Sequence, residues 1–114
     1  MAGMRELIKQ VQEKGLCDER KILELSDLSY GGKSTQRVWL SFSKNTLYIL
    51  DSPKLTEVGK VLLQMNLKEV RISSCCAFPL LTKMSLEFHG KFYDFKNFGS
   101  ARKVIGAVQA FARV

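Results

Sequence analysis

The only histidine, His89, and the three cysteines, Cys17, Cys75 and Cys76, are the residues from which a metal site or a nucleophilic pair would have to be built. Their spacing contains neither C-x-x-C nor H-x-x-x-H, the patterns that put two soft or imidazole ligands on one metal. Cys75 and Cys76 are neighbours, which rarely bridge, and the odd count argues against a disulfide framework and for a reducing compartment. His89 stands next to Gly90, a turn pair, and no local pattern gives it a serine or cysteine to activate. These residues read as small buried or half-buried thiols and a turn histidine. No catalytic residue, metal site or cofactor is expected.

Gly31-Gly32-Lys33-Ser34 invites a phosphate-loop reading. The motif G-x-x-x-x-G-K-[ST] needs a glycine at position 27, where the chain has Asp27, and a helix after the serine, where Arg37–Phe42 alternates as a strand. The glycines read instead as a hairpin tip, free to take positive φ. Lys33, Arg37, Lys54 and Lys60 are the more useful basic group. In an up-and-down meander the connections holding them lie at one end of the sheet, a rim to which an anionic head group would be drawn. Phe78-Pro79-Leu80-Leu81 is an apolar connection of a composition that loops usually avoid. It closes the longest uncharged apolar run, from Cys75, and is the best candidate for a partner-binding or membrane-inserting surface. Trp39, Tyr48 and Tyr93 could share a sheet face, but no RNA-binding motif accompanies them, so nucleic acid is not expected.

The elements that must position these residues follow from periodicity. Met4, Leu7, Ile8 and Val11 recur at i, i+3, i+4 and i+7, predicting a helix over residues 4–14 that Gly15 stops. From Lys21 to Phe95 the period is two. Strands are predicted at Ile22–Tyr30, Arg37–Phe42, Thr46–Leu50, Lys60–Met65, around Val70–Ser74, at Met84–Phe88 and at Lys91–Phe95, with His89-Gly90 as a two-residue hairpin turn. The alternation implies one buried and one wet face. Residues 100–112 return to a helical period through Ala101, Val104, Ile105, Val108, Phe111 and Ala112, with Ser100 as N-cap.

With 114 residues, 46% hydrophobic and 25% charged, the chain suits a single domain over 1–114. No apolar run approaches the roughly 20 residues of a spanning helix, and Met1-Ala2-Gly3 leads into a charged stretch without a secretory pattern. The net charge of +7 makes an anionic partner worth considering without choosing one. The expected fold is mainly β with two helices: a curved antiparallel sheet or barrel of about seven strands, a C-terminal capping helix and an extra N-terminal helix.

Trp39-Leu40-Ser41-Phe42-Ser43-Lys44-Asn45-Thr46-Leu47-Tyr48-Ile49-Leu50-Asp51-Ser52-Pro53 resembles the second and third strands of a pleckstrin-homology (PH) domain. Gly59–Leu63 and Leu67–Val70 are similar to its fourth strand and the lead into the fifth. Phe92–Phe98 before a helix is similar to the last strand and closing helix of the PH-like and GRAM-like group, and Gly15–Leu23 to the opening of GRAM-like domains. The resemblance covers roughly residues 20–113 and implies a PH-like core with head-group binding at the mouth that holds Lys33, Arg37, Lys54 and Lys60. Val38 stands where phosphoinositide-binding members carry an arginine, and the closing helix has no tryptophan. The expectation is therefore a non-catalytic binding module, cytoplasmic, first for a protein partner. The alternative is a phosphoinositide or anionic membrane surface, with peripheral attachment there.

Overall fold

The computed structural model describes residues 3–30, 34–78 and 81–113. Helix α1 (Met4–Glu13) is followed by strands β1 (Leu23–Tyr30), β2 (Gln36–Ser43), β3 (Thr46–Asp51) and β4 (Val61–Asn66). A 3-10 turn (Leu67–Glu69) leads to β5 (Val70–Phe78), β6 (Leu81–Phe88) and β7 (Lys91–Lys96), and helix α2 (Ala101–Gln109) closes the chain. The strands form one antiparallel sheet in the order β4-β3-β2-β1-β7-β6-β5. The fold is mainly β with an N-terminal and a C-terminal helix, as the periodicity predicts. Its radius of gyration, 13.1 Å, is that of one compact unit of this length.

The order puts β4 and β5 at opposite ends of the sheet, yet only Leu67–Glu69 separates them in sequence. So short a link forces the sheet to curl until its two ends meet at one corner. Leu67 is buried there, and its N–H donates to the Asn45 carbonyl at 2.7 Å. The sheet stays open, because β4 and β5 do not pair. β1 makes the bend. It pairs with β2 through Leu23–Leu28 and with β7 through Asp27–Tyr30, so only Asp27 and Leu28 have neighbours on both sides. His89 and Gly90 both take positive φ, the backbone that a tight hairpin with right-handed strand twist requires.

The inner face holds the main core. Val38, Leu40, Phe42, Leu47, Ile49, Met65, Met84, Leu86 and Phe95 are fully buried in it. α2 supplies Val104, Ile105, Ala107 and Val108 from its apolar stripe. Ser100 does not cap α2 by its side chain. It sits in the left-handed region, and its carbonyl accepts from Val104 N–H at 3.0 Å. The helix also ends before Phe111, which is left partly exposed.

The outer face is not wet across β1–β3, contrary to the simple reading of the alternation. α1 lies on it, and Leu7 and Val11 join Leu23, Trp39 and Leu50 in a second core. Trp39 is only 2% exposed, with its indole N–H donating to the Glu57 carbonyl at 2.8 Å. Ser41, also buried, donates its hydroxyl to the Leu16 carbonyl at 2.6 Å, so the chain leaving α1 is tied to β2. Residues 38–42 are thus buried on both faces. α1 is needed to finish the domain, since without it Trp39, Leu23 and Leu25 would form an apolar outer patch.

Candidate functional site

β5 and β6 run longer than their periodicity predicts. Phe78 pairs with Leu81 as the last rung of the β5–β6 hairpin, so these two residues of the segment read as an apolar connection belong to the strands. Pro79 and Leu80 lie outside the described residues. β5 is also irregular at one point. Ser73 is inserted between the rungs Ile72–Leu86 and Ser74–Ser85, and a bulge of this kind bends its strand. Before it, Val70 and Ile72 are buried; beyond it, every residue is exposed except the half-buried Cys76.

The register puts Phe78, Cys76, Leu81 and Lys83 on one side of the hairpin, and Lys83 faces Lys96 of β7 on that side. Phe78 is 68% and Leu81 53% exposed. Two lysines opposite one another repel and weaken a sheet locally. Among the described residues neither has a carboxylate within ion-pairing distance. Asp94, two residues from Lys96, accepts the Ser85 hydroxyl. Asp27, beside Lys96 on β1, accepts from Asn97 at 2.8 Å and from Arg37 at 3.0 Å. These two partners, Asn97 first, hold its carboxyl below the usual carboxylate range against the opposing effect of burial.

Thr82 fixes the other wall of the site. Its carbonyl accepts from Asn97 N–H and its hydroxyl from Phe98 N–H, both at 3.0 Å. The corner after β7 is thereby clamped to β6, and the first turn of α2 is brought beside the hairpin. A groove results, lined by Ala77, Phe78 and Thr82 on one side and by Ser100, Arg102 and Lys103 on the other. Residues 70–86 contain two basic and no acidic residues, and residues 95–114 contain four basic and no acidic ones. This clearing in the acidic residues was the available sequence signal for the site, and a reading by total charge passes over it.

The basic residues expected at the mouth have different surroundings. Lys33 lies outside the described residues. Arg37 is paired with Asp27 at 3.0 Å, and Lys54 lies 3.9 Å from Glu57. Lys60 is exposed, and its carbonyl accepts from Asp51 N–H at 2.8 Å. The β3–β4 connection that carries Lys54 and Lys60 is drawn over the outer face, where Glu57 meets Trp39 and Val58 packs into the second core.

The cysteines and the histidine are dispersed. Cys17 is buried in the second core, where burial pushes its thiol up despite hydrogen bonding that opposes the shift. Cys75 and Cys76 are on the distal half of β5. His89, in the β6–β7 turn, meets Glu69 at 2.9 Å. Among the described residues no three His, Cys, Asp or Glu side chains converge as metal ligands would. The three aromatics do not make one stacking surface either. Tyr93 is in the inner core, whereas Trp39 and Tyr48 face α1. Among the described residues no helix is long and apolar enough to cross a membrane.

Comparison of the chain with protein-family models, with curated proteins and with solved structures gives no match in any of the three.

Proposed function

We propose that the chain is a non-catalytic binding module of PH-like build that recruits a protein partner through the distal β5–β6 hairpin and the first turn of α2. The observation that carries the reading is the apolar end of that hairpin, Phe78 and Leu81, standing exposed beside Lys83, Lys96, Arg102 and Lys103. An apolar centre with a charged rim is the anatomy of a protein interface, and cations that repel at home gain from an acidic partner. A cytoplasmic setting suits the unpaired thiols.

The test is a photo-reactive phenylalanine at position 78 in the intact chain, expressed in its own cells. A discrete adduct with an acidic protein, lost when Lys83→Glu and Lys96→Glu are added, is the expected result. Adducts unchanged by the charge reversals would overturn it.

The same projecting apolar end favours a second reading, peripheral attachment to an anionic membrane, because two apolar side chains beside several cations fit a wedge entering charged head groups. Phosphatidylcholine vesicles with and without phosphatidylserine separate the two. Sedimentation that rises with phosphatidylserine and is abolished by Phe78→Asp would support the membrane reading. Sedimentation that follows total charge alone, indifferent to Phe78, would remove it.

A further inference from the structure

We infer that the outer edge of β5 beyond Ile72 accepts an extended acidic peptide as an added strand, held by main-chain hydrogen bonds along β5 and by Arg102 and Lys103 across the groove. The inference rests on the hairpin being the docking surface, and it names how the partner is held there.

The edge already takes one bridging residue. Arg113, just past α2, runs parallel to β5, its N–H donating to the Val70 carbonyl at 2.9 Å and its carbonyl accepting from Ile72 N–H at 2.8 Å. Among the described residues this pairing reaches as far as Ile72, just before the Ser73 bulge bends β5. From Ser74 to Phe78 the strand pairs with β6 on one side only, and among the described residues no strand lies on the other. Unpaired edge groups of this kind are a template for another chain unless blunted by charge or proline. Residues 73–78 contain neither. The bare length of five residues corresponds to about 17 Å of extended chain.

The occupant is narrowed by charge. Arg102 and Lys103 line the groove with Ala77 and Phe78; segments 70–86 and 95–114 contain no acidic residue, and the Glu24 carboxylate from β1 lies against Gly99 of the same groove. A second copy would set one cationic hairpin against another, on a chain that carries +7. An extended segment with acidic residues at alternate positions meets both demands. Its carboxylates reach Arg102 and Lys103 on the side of Ala77 and Thr82, its main chain completes the ladder, and the small apolar residues between them fall on the opposite side, with Cys76 and Phe78. The chemistry is that of an acidic peptide, without a fixed sequence beyond this alternation.

The probe is the capped peptide Glu-Val-Glu-Val-Glu-Val, added to the full chain and followed by amide exchange and by fluorescence polarisation. Amides within residues 74–78 should exchange at least tenfold more slowly. Arg102→Glu with Lys103→Glu should weaken binding at least tenfold, about 1.4 kcal/mol. The same peptide with alternate N-methylated amides should lose binding altogether, a control that leaves the protein untouched. Free exchange at 74–78, equal binding of Lys-Val-Lys-Val-Lys-Val, or indifference to N-methylation would each overturn the inference. If adducts at position 78 persist while these amides exchange freely, strand addition fails and the docking reading stands. If both are absent, both fail.

Discussion

Lys83 and Lys96 stand directly opposite one another across β6 and β7, and the fold gains nothing from the arrangement. Like charges facing across a sheet are destabilising, and a favourable cross-strand pair contributes roughly 0.2–1 kcal/mol. Lys83→Glu is therefore expected to raise stability by about that amount, seen as a higher denaturation midpoint with an unchanged slope, while weakening any acidic partner. A lower midpoint would show that the two lysines are already accommodated, and would remove the argument that they are kept for binding.

Acid should loosen the connection between α1 and β1. The Asp18 carboxylate holds the Arg20 side chain at 2.8–3.1 Å and accepts from the main-chain N–H groups of Arg20 and Lys44. Arg20 in turn donates to the Lys44 carbonyl at 2.7 Å, fastening the β2–β3 turn. These bonds, the Arg20 side chain first, lower the Asp18 pKa to about 2. A carboxyl depressed on folding contributes stability that is full above its unfolded pKa, near 4, and lost as pH falls through about 2. With Arg20 31% exposed, solvent screening leaves about 1–2 kcal/mol. Unfolding followed between pH 5 and pH 2 should show the decline, and Asp18→Asn should flatten it. An equally steep decline in the variant would assign acid sensitivity elsewhere.

Trp39 is the single tryptophan and sits under α1, so its emission reports whether that helix is seated. Leu7 is buried in the same cluster and is one of the two buried residues of α1. Leu7→Ala should cost about 2–3 kcal/mol and shift Trp39 emission to longer wavelength before the inner core unfolds. A loss of stability without an early shift would show α1 and the sheet melting as one unit.

Strand and helix positions were legible because alternation and the 3.6-residue period are properties of neighbouring residues. The second core was not. Leu23, Leu25 and Leu28 read as one apolar strand, but Leu23 and Leu25 face α1 and Leu28 faces the inner core. That division depends on where α1 lies, which no local pattern states. The burial of a hydroxyl at Ser41 becomes reasonable only once the Leu16 carbonyl is above it. At the candidate site, Phe78 and Leu81 were legible as unusual apolar residues. The opposition of Lys83 and Lys96 needed the β6–β7 register, and the place of Arg102 and Lys103 needed Thr82 to clamp the corner before α2. Arg37 was read as a free cation because Asp27, ten residues earlier, becomes its neighbour only through strand pairing.

The β6–β7 turn tests whether backbone or side-chain contact holds the corner where the sheet ends meet. Gly90 has φ +79°, and a Cβ there would meet nothing within 4 Å. The cost of Gly90→Ala is therefore one of conformation alone, about 1 kcal/mol. His89, at φ 51°, is the residue for which asparagine is the favoured replacement before glycine. His89→Asn would lose the contact with Glu69, but both of those side chains are more than half exposed, where such contacts add little. His89→Asn should then leave stability unchanged or raise it, while Gly90→Ala lowers it, both measured by urea unfolding at neutral pH. If His89→Asn proves the more damaging of the two, the turn is not the controlling feature. The contact between His89 and Glu69 would then be what pins β6–β7 to the link between β4 and β5.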